Sequence, residues 1–178
     1  VVTTNTYFDF DRWMDVPHIY CILGGNYCEV SGYAFGLASL KMVRGTTTYS
    51  SAGRFGSDGY FRVAFQNAAG APIFLRTGDQ VSGTGVAAFR LPTLTTAVNT
   101  TTNVVSGRAP ANSYFDLWVT IMGTGVSYKQ YGHATSLGSY SSDFTSLVDI
   151  TSQPFSTQVY YTNPLTGNAV DFFSTFGP

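Results

Sequence analysis

Val30-Ser31-Gly32 returns as Val105-Ser106-Gly107, a shift of 75 positions (30 to 105). The same shift carries Val16-Pro17 onto Leu91-Pro92 and Leu75 onto Ile150. A chain that repeats its own layout at this distance reads as two related units, each small enough that its core is limited. Between each proline and its Val-Ser-Gly lies a short apolar-alternating run, a turn and a second run. The first copy runs His18 to Leu23, turns at Gly24-Gly25 and resumes from Asn26 to Val30. The second runs Thr93 to Val98, turns through Asn99-Thr100-Thr101-Thr102 and resumes at Asn103-Val104-Val105. Each copy reads as a β-hairpin ending in a glycine corner.

The correspondence continues beyond the hairpins. Leu40-Lys41-Met42-Val43 matches Leu117-Trp118-Val119-Thr120, now 77 positions on (40 to 117). Phe115, Leu117, Val119 and Ile121 alternate with Asp116, Trp118, Thr120 and Met122, the period of a strand with one face on a core. Phe61, Val63 and Phe65 form an inward set, and Tyr140 to Phe144 is their counterpart. Thr162 to Asn168 is a turn-rich loop closing a last hairpin. No stretch shows a 3.6-residue apolar period. The expected fold is all-β, with a leading strand over 1–15, one β-sandwich unit over 16–90 and a second over 91–178. Val86 to Leu91 runs straight into Pro92, so the joint between the units is short and their angle is fixed.

The leading stretch places Val2, Thr4, Thr6, Phe8 and Phe10 on one face. Such a strand caps its own sandwich or is donated to a neighbouring subunit's sheet. Val1 reads as the first residue of a processed product. Asp9, Asp11 and Asp15 surround Trp13; three carboxylates can attract Ca²⁺, but the glycine and closing glutamate of an EF-hand loop are missing, and a solvated acidic linker is the plainer reading.

Cys21 and Cys28, the two cysteines of the chain, lie symmetrically about Gly24-Gly25. A two-residue turn sets them opposite each other, which suits a disulfide. It also sets them at a hydrogen-bonded position, where side chains stand farther apart. Two buried thiols are the alternative. Asn99-Thr100-Thr101 is an N-glycosylation triplet at a hairpin turn, so Asn99 is a candidate modification site.

The run Gly78-Asp79-Gln80-Val81, then Leu91-Pro92-Thr93-Leu94, then Val104-Val105-Ser106-Gly107-Arg108-Ala109-Pro110, resembles the tandem immunoglobulin-like β-sandwich repeats of secreted and cell-surface bacterial proteins of filament or adhesin type. The first copy departs from that pattern, with Tyr33-Ala34-Phe35-Gly36 where Ala-Pro belongs. The resemblance implies two tandem immunoglobulin-like units and a structural or adhesive role outside the cytoplasm. It brings no catalytic residue with it.

Charge narrows the partners. Charged residues make up 11% of the chain, against roughly 25% in an average soluble domain, and the net charge is −1. No basic stripe exists to neutralise phosphates, so nucleic-acid binding is not expected. No apolar run reaches the length of a spanning helix, so membrane insertion is not expected. Few lysines are available to blunt sheet edges, so the edges and the surplus of aromatic residues point to self-association as a homopolymer or homo-oligomer.

Enzyme chemistry finds little footing, and no cofactor or metal is expected. His18 and His133 are the two histidines, and no Gly-x-Ser-x-Gly, His-Glu-x-x-His or phosphate-binding loop is present. Asp143 and Asp149 as a glycosidase pair would rest on closeness in sequence alone. The expectation is therefore a non-enzymatic extracellular or cell-surface protein, a subunit of a filament, pilus-like fibre or adhesin stalk. The rival is a carbohydrate-binding or receptor-binding module that uses ring faces. Its candidate contacts are Trp118, Tyr128, Tyr131, Tyr160 and Tyr140. An uncovered row of these rings on one sheet would favour a glycan or cell-surface ligand.

Overall fold

A computed structural model describes residues 17–32, 36–150 and 153–177. The acidic cluster and the leading face of Val2, Thr4, Thr6, Phe8 and Phe10 lie outside these residues. Among the described residues, fourteen strands account for the regular structure. The first seven are β1 (Ile19–Leu23), β2 (Tyr27–Ser31), β3 (Leu37–Arg44), β4 (Thr47–Arg54), β5 (Tyr60–Ala64), β6 (Gln80–Gly83) and β7 (Val86–Arg90). The second seven are β8 (Thr95–Asn99), β9 (Val104–Arg108), β10 (Tyr114–Ile121), β11 (Ser127–His133), β12 (Ser139–Asp143), β13 (Phe155–Thr162) and β14 (Ala169–Phe176).

Their order repeats. In the first half β1-β2-β5 faces β4-β3-β6-β7; in the second β8-β9-β12 faces β11-β10-β13-β14. Adding seven to each label converts one half into the other. This is an immunoglobulin-like sandwich written twice. The alternation that suggested strands also sorts the faces. Ile19, Cys21 and Leu23 of β1, and Phe115, Leu117, Val119 and Ile121 of β10, are buried, while their neighbours in sequence are not. Phe144, Phe155, Leu40, Met42 and Leu75 are the large fillers, each contributing about 1.5–3 kcal/mol when fully buried. One continuous apolar cluster runs through both halves.

The halves are not merely linked by Pro92. β14 pairs in parallel with β1, setting Tyr20 against Ala169, Cys21 against Val170 and Ile22 against Asp171. This pairing merges one sheet from each half into a single seven-stranded sheet, ordered β11-β10-β13-β14-β1-β2-β5. At its start, the Ile19 amide donates to the buried Asn168 Oδ1 at 2.9 Å. Nothing in the alternation of either strand announces this pairing, because β1 and β14 are about 150 residues apart in the chain (22 to 171).

The first hairpin has the expected register, with Cys21 opposite Cys28. The pair type differs from the expectation. Ser31 N donates to His18 O at 3.0 Å, so the hydrogen-bonded positions fall on His18/Ser31 and, two residues on, Tyr20/Glu29. The cysteines therefore take the close, non-hydrogen-bonded position, with Cα atoms 4.2 Å apart and a disulfide between them. The cause is a wider turn. Gly25 N reaches back to Ile22 O at 3.1 Å, and Leu75 pairs with Gly24 and Gly25 at 2.9 and 2.6 Å.

The repeated glycines also have a different job from that of a corner. Gly107 lies inside β9, where a Cβ would strike the Thr95 carbonyl and the Tyr140 hydroxyl. Gly32 follows β2, and a Cβ there would enter the Phe55 ring. Close approach, rather than a turn, requires glycine at both places.

Candidate functional site

One face of the seven-stranded sheet packs on the core and the other points outward. Strand spacing of about 4.8 Å makes that outward face nearly 30 Å across. The register lines up a row running Tyr131 (β11), Asp116 (β10), Tyr160 (β13), Asp171 (β14) and Ile22 (β1). Beside it run Lys129, Trp118, Gln158 and Phe173, and on the first half's side Tyr20, Glu29 and Arg62. Rings and charged or amide groups thus alternate across both halves.

The charges of this face are paired with one another. Lys129 Nζ is 2.8 Å from Asp116 Oδ2, and it also lies 4.9 Å from the Trp118 ring centre and 4.7 Å from that of Tyr131. Arg62 bonds Glu29 at 3.1 Å and Asp58 at 2.7 Å, and stands 5.0 Å over Tyr60. The Tyr27 hydroxyl donates to Glu29 at 2.6 Å; burial, reinforced by this bond, pushes the phenol up to about 12. Tyr20 lies 6.3 Å from Tyr160 and 6.5 Å from Tyr27, so rings continue across the seam between the halves.

Asp171 stands at that seam. It is 3% exposed, and its Oδ2 accepts from the Tyr20 hydroxyl at 3.1 Å and from Gln158 Nε2 at 2.7 Å. Burial pushes its carboxyl up to about 6, although both of those bonds favour the charged form. Burial, followed by the Asp171 charge, raises the Tyr20 phenol as well.

The structure separates the aromatic candidates. Trp118 and Tyr160 lie half-buried on the outer face, and Tyr131 is 78% exposed there. Tyr128 is a correction: it stands opposite Val119 and packs against the core, because β11 turns its alternate side chains inward. Tyr140 is also interior, with its hydroxyl donating to Thr95 O at 2.8 Å and burial raising the phenol. Asn99 is exposed at the end of β8, its Oδ1 accepting from Thr102 N at 3.2 Å. The histidines are not brought together. The His18 ring meets Ser31 Oγ at 2.8 Å, tying the start of β1 to the end of β2, and His133 lies against the exposed Tyr114, ring centres 4.5 Å apart.

Tyr20, Tyr114, Lys129, Gln158, Asp171 and Phe173 belong to the face without having been candidates. Alternation along β13 would have flagged Gln158 beside Tyr160. Tyr20 joins them only through the β1–β14 pairing. Among the described residues, no group of three or more His, Cys, Asp or Glu side chains is placed to hold a metal ion.

No protein-family model matches the chain, and no curated relative matches it. Among solved structures, the tetra-tandem repeat in the extending region of a large adhesion protein aligns with 91% of this chain and 49% of its own, at 14% identity and a TM-score of 0.35. A structure concerning host cell surface retention of a bacterial ice-binding adhesin aligns with 90% and 62%, at 15% identity and a TM-score of 0.31. The CD2-binding domain of CD58 aligns with 90% and 96%, at 9% identity and a TM-score of 0.26. This chain spans about half the length of the first of these and under two thirds of the second. All three likenesses are low, and the fold stands on the chain's own strand order.

Proposed function

We propose that this chain is a non-enzymatic structural module of an extracellular surface protein, a stiff stalk or filament segment that presents the outer face of its seven-stranded sheet. The observation that carries this reading is the β14–β1 pairing. A short joint already restricts two sandwiches, and a shared sheet adds a ladder of main-chain hydrogen bonds that resists bending. A Cys21–Cys28 bridge suits an oxidising compartment. Low charge and self-paired ions favour a role in shape and contact over one in chemistry.

Spin labels at Ser50 on β4 and Ser127 on β11 test the stiffness. A narrow distance distribution is the expected result, and a broad one spanning many ångströms would end the stalk reading.

A second reading has its own support in the outward rings of Tyr131, Trp118, Tyr160 and Tyr20. Such a row suits a neutral glycan or a protein receptor. Lys129 weighs against stacking on Trp118, since its ammonium already lies against that ring. A glycan array on the intact chain decides the matter. Binding that disappears in Trp118→Ala and Tyr131→Ala would support the sugar reading; an empty array would leave the stalk reading alone.

A further inference from the structure

Asp171 is a buried titratable group at the joint between the halves, and a stiff stalk has no use for its charge. It projects to the outer face from β14, the strand that meets β1, yet it is almost wholly buried. Tyr20 and Tyr160, from the strands on either side of β14, flank it with ring centres 6.3 Å apart. The bonds to its Oδ2 come from both halves, one from the Tyr20 hydroxyl of the first and one from Gln158 of the second. Its Oδ1 is buried and has no hydrogen-bond partner among the described residues.

The two protonation states of such a group ask different things of the joint. A neutral acid needs no counter-charge. A carboxylate removed from water needs a cation or a full set of donors, and a shortfall costs free energy. Both donors here are neutral, and one oxygen faces none. β13 presents Tyr160 and Gln158 to it, and β1 presents Tyr20; burial raises both phenols, so neither ionises near neutral pH. One strand farther out stand two more carboxylates, Asp116 on β10 and Glu29 on β2, with Tyr27 beside Glu29. Lys129 of β11 already holds Asp116, and Arg62 of β5 already holds Glu29. Parting β14 from β1 would return Asp171 to water, where its charge is solvated. Ionisation therefore favours the open joint and protonation the closed one.

We propose that the β14–β1 seam is a proton-controlled joint, held tightly when Asp171 is protonated and opening more often when it is ionised. The pH range follows from burial, which pushes the carboxyl up to about 6 from an ordinary 3.8. A group raised in the closed form favours closure fully below about pH 4; that advantage falls as pH rises to about 6 and is level beyond. The joint is thus tight in acid and looser at neutral pH. Looser means more frequent opening, not separation of the halves. The joint shares its ground, the β14–β1 pairing, with the stalk reading, and the two fail differently: a broad spin-label distribution ends the stalk, and the outcomes below end the proton control.

Amide hydrogen exchange on the intact chain at about pH 4 and about pH 7, corrected for the intrinsic pH dependence of exchange, reads how often the seam opens. Protection of the amides bonded across it, within 20–23 and 169–172, should fall roughly fifty- to a hundredfold between the two, the effect of a shift of about two pH units. In Asp171→Asn it should not change. Equal protection at both pH values, or the same fall in Asp171→Asn, would overturn the proposal. At the higher pH these amides should also exchange faster than those pairing β3 with β4 and β10 with β13. Equal rates would mean that the seam opens only with the whole fold, which would overturn it as well. A ¹³C titration of the Asp171 carboxyl in the unaltered chain gives a readout that no substitution can disturb. A midpoint well above the ordinary carboxylate range is expected, and one within that range would remove the proton from the joint.

Discussion

The two halves share a strand order and hold it by different means. In the first, β6 has four residues where β13 of the second has eight. Short strands bury little, and the first half compensates with specific bonds. Asp79, of the Gly78-Asp79-Gln80-Val81 run, is 2% exposed and takes Arg44 in two parallel bonds, Nε to Oδ1 at 2.8 Å and Nη2 to Oδ2 at 2.7 Å. It also accepts from Arg76 N at 2.8 Å, and its carbonyl holds Leu91 N. The disulfide adds a covalent tie to the same half. In the second half β13 and β14 are longer than their counterparts β6 and β7, and Phe115, Leu117, Val119, Ile121, Phe155 and Val159 fill the interior. Its buried polar link is gentler, a 2.8 Å contact between the hydroxyls of Thr96 and Thr157. One layout can thus be stabilised by directed bonds where area is scarce and by area where it is not.

Removing Asp79 should do most to break this contrast. Asp79→Ala leaves Arg44 with the Phe74 carbonyl alone and Arg76 N without its acceptor, and is expected to cost about 3–4 kcal/mol, toward the low end for a broken buried pair because Arg44 can regain water. A guanidinium titration reads this directly, and a loss below about 1 kcal/mol would mean that the ion pair is not what braces the first half.

Asp171 sharpens the comparison, because it lies on β14 of the second half and is bonded across the seam to Tyr20 of the first. Its folded pKa, about 6, lies above the unfolded carboxylate value of 3.8. The folded state therefore holds its proton more tightly, and stability from this group is full below about pH 4, falls as pH rises to about 6, and is level beyond. A shift of roughly two pH units corresponds to a change on the order of 3 kcal/mol. Asp171→Asn should flatten that part of the stability–pH curve; an unchanged slope would assign it to another group.

Reduction comes next. Breaking the Cys21–Cys28 bridge frees a loop whose ends are seven residues apart, with an expected loss of about 2–3 kcal/mol. Melting with and without reductant measures it, and identical curves would remove the disulfide from the account of the first half. The smallest effect belongs to Thr157→Val, about 1 kcal/mol for a lost hydroxyl contact that Thr96 can replace with water. A loss as large as that of Asp79→Ala would erase the difference between the halves.

Much of the fold was legible before any coordinates. The duplicated layout, the facing of Cys21 and Cys28 and the alternation of β10 depend on neighbours in sequence, and local backbone geometry decides them. Turn geometry was less legible. Gly24-Gly25 suggested a tight two-residue turn, but Leu75 bonds to both glycines and widens it. The strand itself was not legible where apolar residues were few: Gly123 to Gly138 reads as a polar turn region, so nothing local announced β11 or the inward place of Tyr128 on it. Asp79 was visible as part of a turn, but its partner Arg44 was not, since 35 residues separate them.

By itself the sequence determined that this chain is made of strands, that their plan occurs twice, and that its surface is poor in charge. Those are properties of composition and of spacing within a few residues. Only the tertiary structure decided that β14 lies beside β1, that Asp171 is buried against Tyr20, and that Arg44 reaches Asp79. Each of these depends on which strands meet once the chain has folded, and hydrogen bonding between main chains is nearly the same for any pair of strands. The side-chain pattern selects the face of a strand, and the geometry of the assembled halves selects its neighbour.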